Sequence, residues 1–192
     1  SNITMLSIPR DSYVPITCFK DKIENKITHA AWNGTDCMID TIENFLDVPV
    51  DYYVKINFKG VVGLVNALGG INVNVPQNLC TGDSDRSNNQ ICVNAGNQTL
   101  NGEQALVLAR NRHQLAGGDL DREKNQQLVI KGILDKLKSI RDVNQITNIL
   151  NAVSRNIDTN FTTDQILSFY NIGKDLLLTN GDIKITSLQL QG

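Results

Sequence analysis

The sequence predicts an α/β fold, a sandwich with strands and helices mixed along the chain. Three observations carry this. Ile71-Asn72-Val73-Asn74-Val75 alternates apolar and polar residues with the period of a half-buried strand. Residues 58–68 before it repeat Val61, Val62, Leu64, Val65 and Leu68 at helical spacing and end on Gly69-Gly70, a helix C-terminal signal. Residues 119–140 carry a long helical stripe. A length of 192 residues fits one domain, or one domain with a small appendage. We expect a single domain over residues 1–192.

The elements follow in order. Ile3, Met5 or Leu6, and Ile8 alternate as a first strand, which Pro9 ends. Arg10 and Asp11 stand just past that end, a typical ligand position in α/β sheets. Residues 26–34 lack clear periodicity. Thr35 or Asp36 is placed to cap a helix whose apolar face is Met38, Ile39, Ile42, Phe45 and Leu46, and Pro49 stops it. Tyr52, Val54 and Ile56 make a strand. With the helix at 58–68 and the strand at 71–75 this predicts a crossover unit. Residues 77–98 are polar and loop-rich. Asn101 can cap a helix from Gly102 to about Arg112, with Ala105, Leu106 and Leu108 inward. The longest helix runs from Asp119 to about Ile140 on a stripe of Gln126, Val129, Ile130, Ile133, Leu134 and Leu137. Helices at 146–153 and 164–178 and a strand at 183–190 complete the chain.

Composition excludes some functions. The content is 41% hydrophobic and 20% charged, ordinary for a globular protein. A net charge of −2, a pI near 5.6 and no run of Lys and Arg disfavour nucleic-acid binding. No signal peptide or membrane span is visible. The chain opens on an apolar run without a starting Met, so it reads as a piece of a longer protein in which anchors and targeting signals would lie elsewhere. Four cysteines at 18, 37, 80 and 92 form no C-x-x-C pair, and only His29 and His113 accompany them, so zinc spacing is absent. Four cysteines allow three connectivities; the sequence-local one, Cys18–Cys37 with Cys80–Cys92, is expected, and it would place the domain in an oxidising compartment. Four reduced, partly buried thiols are the competing reading.

The stretch richest in chemistry is 109–127. Arg110 and Arg112 stand two residues apart, then Gly117-Gly118 breaks the chain, and Asp119, Arg122 and Gln126 follow at helical spacing. Gathered arginines repel one another unless an anion holds them, and their planar forks match phosphate oxygens. The pattern suits a phosphate or pyrophosphate site. It also suits a solvated helix start, because Asp119, Asp121 and Glu123 lie beside Arg122 and Lys124. Weaker candidates are His29 and His113 as acid–base groups and Asp83-Ser84-Asp85 as a calcium loop, whose ligand spacing is incomplete. Trp32 and Tyr52-Tyr53 read as packing and sheet residues rather than sugar platforms.

Several long words in order carry a resemblance: S-I-P-R-D-S-Y-V (7–14), K-I-T-H-A (26–30), the run 41–76 around T-I-E-N-F-L-D-V-P-V-D-Y-Y-V, L-N-G-E-Q-A-L (100–106), A-R-N-R (109–112) and G-D-L-D-R-E-K-N-Q-Q (118–127). The chain resembles the LytR-CpsA-Psr family of bacterial cell-envelope enzymes, strongly over residues 3 to about 137 and least over 141–192. The resemblance implies an α/β/α sandwich with a central mixed sheet and helices on both faces. It implies an extracytoplasmic, membrane-anchored phosphotransferase of a Gram-positive type bacterium. Such an enzyme moves a glycopolymer (teichoic acid, capsular polysaccharide or a relative) from a polyprenyl-pyrophosphate carrier onto peptidoglycan. Magnesium assists, and the lipid lies in an apolar tunnel between sheet and helices. Arg10, Arg110, Arg112 and Arg122 match the family's pyrophosphate contacts, Gln126 a head-group contact, and Asp11 and Asp119 acidic positions near the site. The tunnel rests on the resemblance alone, since apolar helix stripes are ordinarily core.

The sequence departs from the family at its start. Further strands normally precede S-I-P-R-D and carry the magnesium-holding carboxylates. The domain is therefore expected to be N-terminally incomplete, its metal ligands are unassigned, and the parent protein rather than this piece is expected to be the competent enzyme. A sheet edge beside residues 3–8 would lie open to self-association or to a second polypeptide. Three functional classes follow: the phosphotransferase, a non-catalytic polyprenyl-phosphate binding module, and a transcriptional regulator. Acidic charge and the lack of a helix-turn-helix pattern argue against the third.

Overall fold

The computed structural model describes residues 2–81, 90–111, 117–180 and 184–190. Two compact units make up the chain, one built chiefly on Val54–Thr186 and the other on Leu6–Tyr53. Strand β1 (Asn2–Ser7) pairs with the last strand of the chain, β10 (Lys184–Gln189). One edge of β1 therefore carries a partner. No third strand joins the pair among the described residues.

In the Leu6–Tyr53 unit, β2 (Tyr13–Pro15) and β3 (Glu24–Lys26) form an antiparallel hairpin with Tyr13 opposite Lys26. Helix α1 (Thr28–Trp32) occupies the segment that lacked periodicity, which is too short to display any. Helix α2 (Thr35–Leu46) begins after Gly34, whose φ of 103° suits glycine, and no side chain caps it, so the Thr35 or Asp36 cap is not formed. Its buried residues are Cys37 and Thr41, with Met38 and Ile42 packed beside them, while Phe45 is exposed. Thr41 is buried because its hydroxyl is satisfied by Thr17, oxygen to oxygen 3.1 Å. Cys18 and Cys37 are joined as expected, within a core of Val14, Ile16, Ile27 and Ala30.

In the Val54–Thr186 unit, β4 (Val54–Ile56) leads into α3 (Phe58–Ala67), capped by the Asn57 side chain, which accepts from the Gly60 amide at 2.8 Å. Gly69 and Gly70 end it with φ of 73° and 93°. Strand β5 (Ile71–Val75) alternates as expected, with Ile71, Val73 and Val75 buried and Asn72 and Asn74 exposed. Strands β6 (Leu79–Cys80) and β7 (Cys92–Val93) pair through the second disulfide, Cys80–Cys92. Strand β8 (Gly96–Leu100) then pairs with β5, and β9 (Ile157–Thr159) with β4, both antiparallel. The expected crossover is thus absent: β4 and β5 have different antiparallel partners, supplied by segments too short or too polar to announce themselves.

The α/β class is as expected. Among the described residues the strands, foreseen in one central mixed sheet, pair as five ladders of two, several of only two or three residues.

Helix α4 (Gly102–Arg110) has a full capping box, in which Asn101 and Gln104 each accept the other's backbone N–H at 3.0 Å. It ends two residues before Arg112, and its buried apolar residues are Ala105, Val107 and Leu108; Leu106 is only half-buried. Helix α5 (Asp119–Ser139) rests on β5, where the absence of a side chain at Gly132 lets the backbone meet Ile71 and Asn72. Helices α6 (Val143–Val153) and α7 (Thr163–Asn180) complete the unit, and the Tyr170 hydroxyl donates to the Ile140 carbonyl at 2.8 Å.

Candidate functional site

Two of the expected arginines, Arg110 and Arg122, stand on α4 and α5, helices that Gln126 ties together. Arg110 is the last residue of α4, and its guanidinium lies over the Phe58 ring, 4.4 Å from the centroid. A cation over an aromatic face is attracted by the ring quadrupole, so an exposed, flexible side chain is held where α3 begins. The chain beyond is fixed by Asn111, whose side-chain amide donates to the Cys80 carbonyl at 3.0 Å. Arg122 lies in the first turns of α5, half-buried. Gln126 joins the two helices: its amide donates to the carbonyl of Ala109, next to Arg110, at 3.2 Å. Part of its donor capacity is thereby spent inside the protein, a positioning role beside the expected head-group contact.

The start of α5 is built by its own charges. Gly118 stands before the helix with φ 54° and ψ −117°, a conformation other residues avoid. The Asp121 carboxylate accepts from the Gly117 amide at 2.9 Å and from the Lys124 ammonium at 3.1 Å. These bonds, first that of Lys124 and then that of Gly117, hold its carboxyl below the ordinary value of 3.8. A depressed folded value means that the ionised form favours the folded state. The stability it contributes is present above 3.8 and is lost as pH falls through the lower folded value. Asp121→Asn should therefore flatten the acid limb of the unfolding curve below about pH 4 relative to wild type. An unchanged acid limb would refute this.

Arg10 and Asp11 lie in a turn just past the end of β1, as expected. The Ser12 amide donates to the Pro9 carbonyl at 2.9 Å, and the Thr28 amide to the Arg10 carbonyl at 3.3 Å. Asp11 lies 3.0 Å from the Lys26 ammonium and 3.7 Å from Arg10. The β2–β3 hairpin places Lys26 there, a partner that sequence distance conceals. Arg112 and His113 lie outside the described residues, as do Asp83, Ser84 and Asp85; Asp119 is placed only by its backbone, at the first position of α5.

Other expectations change. Trp32, read as packing, is 78% exposed and stacks on His29 with centroids 4.3 Å apart. On α5 the buried residues include Glu123 and Asn125, while Gln126 and Ile130 of the expected stripe are exposed. Phe58 was missed as well; nothing in its neighbourhood in sequence signals an arginine from position 110.

The chain matches the LytR_cpsA_psr family across residues 1–192. It belongs to the LytR-CpsA-Psr family. Among LytR-CpsA-Psr relatives, it is 37% identical over 190 residues to the polyisoprenyl-teichoic acid–peptidoglycan teichoic acid transferase TagU of Enterococcus faecalis, covering 98% of this chain and 59% of that one. It is 36% identical over 186 residues to the TagU of Bacillus cereus, covering 96% and 58%. The crystal structure of B. subtilis TagV superposes with a TM-score of 0.82 at 32% identity, over 97% of this chain and 70% of that one. The chain thus spans little more than half the length of these curated relatives.

The magnesium that LytR-CpsA-Psr resemblance implies can be tested against the residues present. Magnesium demands near-octahedral oxygen ligands. Asp11 already faces Lys26, and no group of three His, Cys, Asp or Glu among the described residues could hold an ion. The described residues do not fit that ion.

Proposed function

We propose that this chain carries the polyprenyl-pyrophosphate-recognising part of a transferase that moves a teichoic-acid-type glycopolymer from its lipid carrier to peptidoglycan. The observation that supports it is Arg110, fixed on Phe58 and joined through Gln126 to the helix turn bearing Arg122, in a chain similar to two teichoic acid transferases. In this reading an acceptor hydroxyl of peptidoglycan attacks the phosphorus that bears the glycan. A new P–O bond forms, the P–O bond to the polyprenyl phosphate breaks, and the departing phosphate takes the hydroxyl proton. Such transfer asks the protein mainly for positioning and charge neutralisation. Arg110 and Arg122 supply both at the pyrophosphate oxygens, with Arg10 and Arg112 as further contacts by family position. Magnesium belongs to the proposal through the family alone, and no step is routed through it. The parent protein acts outside the cytoplasmic membrane, held by an anchor; no helix among the described residues is long and apolar enough to cross one.

Binding of geranylgeranyl pyrophosphate, measured by calorimetry, tests this. Arg110→Ala and Arg122→Ala should each weaken it about tenfold, since a hydrogen bond to a charged group contributes about 1.5–3 kcal/mol and the exposure of Arg110 favours the lower end. Binding unchanged in both variants would remove the reading. A second reading, lipid binding without transfer, is favoured by the poor fit of the described carboxylates to a metal. Retained lipid binding with no polymer transfer by this chain would select it.

A further inference from the structure

One buried side chain carries an unsatisfied donor. Asn125 is 2% exposed, and its side-chain Nδ2 has no hydrogen-bond partner among the described residues. Buried polar groups are nearly always satisfied, because removal from water without a replacement bond costs folding free energy. Sequence offers no apolar-core reason for an amide here. Position 125 shares the inward face of α5 with buried Val129, one turn on, and with Gly132, which lies against Ile71 and Asn72 of β5. It stands one turn from Arg122 on the same helix and beside Gln126, whose own amide is engaged by the Ala109 carbonyl. Of the two neighbouring amides, the buried one keeps both its N–H donors uncommitted.

A phosphate group presents only acceptors, so its site must supply donors. We infer that Asn125 is a ligand-contacting residue: its buried amide donates to a phosphate oxygen of the polyprenyl pyrophosphate, on the sheet-facing side of α5. This rests on the lipid-binding reading above and adds a residue to it. Folding tolerates the unmet donor because the ligand meets it, a trade of stability for binding.

The test uses Asn125→Leu, which removes both donors and keeps the branched heavy-atom shape, with geranylgeranyl pyrophosphate and inorganic pyrophosphate as separate probes. The leucine variant should unfold at a higher temperature than wild type without ligand, and should bind geranylgeranyl pyrophosphate at least tenfold more weakly. Asn125→Ala, which leaves space instead of bulk, should read the same loss if leucine prevents folding. A loss confined to the lipid probe assigns the contact to the lipid-linked phosphate. An equal loss for inorganic pyrophosphate assigns it to the phosphate itself, whichever source brings it. If wild type binds and the variants bind equally well, the amide serves an internal water or nothing, and the assignment to Asn125 falls alone. If wild type binds neither probe, the lipid-binding reading falls and takes this one with it.

Discussion

Serine at both Cys18 and Cys37 is expected to destabilise the Leu6–Tyr53 unit by about 3 kcal/mol, enough to unfold it at 37 °C. The bond closes a loop with a sequence separation of 19, for which the lost loop entropy of the unfolded chain amounts to roughly 3 kcal/mol. Little else in this unit can offset the loss. Its core cluster is Val14, Ile16, Ile27, Ala30 and Cys37 itself, and so few buried side chains leave small units marginal. Amide hydrogen exchange reads the outcome directly. The Ile16 amide donates to the Ile23 carbonyl and the Ile27 amide to the Ser12 carbonyl, and both should lose protection in the variant or under a reducing agent. Protection retained at both amides after reduction would show that the small core suffices.

Alanine at Gly102 is expected to cost about 2 kcal/mol or more and to weaken the proposed binding of geranylgeranyl pyrophosphate with it. A Cβ there would stand 2.7 Å from the Cα of Val62 and 2.9 Å from its carbonyl carbon. Both are backbone atoms, so no rotamer change relieves the contact and α3 and α4 must move apart. Overpacking of that kind costs about 1–3 kcal/mol and occasionally more. Because α4 carries Arg110 and α3 carries its ring partner Phe58, the same displacement disturbs the guanidinium. Gly63→Ala is the control. Its Cβ would lie 3.7 Å from a methyl group of Val153, an ordinary contact, and the helix propensity of alanine should make it neutral or stabilising by up to about 1 kcal/mol. Equal melting temperatures for the two variants would refute the packing argument.

What could be read in the sequence follows from how locally each feature is determined. Strand β5 was legible because only one of its faces is buried, which leaves asparagines at alternate positions. The end of α3 was legible because Gly69 and Gly70 hold backbone angles that other residues avoid. The start of α5 was legible for the same reason at Gly118. Helix α1 escaped because five residues display no period. The crossover misread at β4 and β5 arose because strand partners lie far off, β9 about a hundred residues beyond β4. At the site, arginine clustering marked Arg110 and Arg122 through their mutual repulsion. The contacts that position them did not show: Phe58 under Arg110 depends on α3 packing beside α4, and Lys26 against Asp11 depends on a hairpin. Asn125 was illegible for a different reason, since among charged neighbours on a helix an asparagine reads as surface.

The exposed stack of His29 and Trp32 has a practical consequence. Trp32 is the sole tryptophan of the chain, so indole emission comes from the Leu6–Tyr53 unit alone. A fluorescence-monitored melt would follow that unit and be blind to the one carrying Arg110 and Arg122, whose long helices dominate the far-ultraviolet circular dichroism. Two optical probes therefore separate the two units without any label, and non-coincident transitions would mean that they unfold independently.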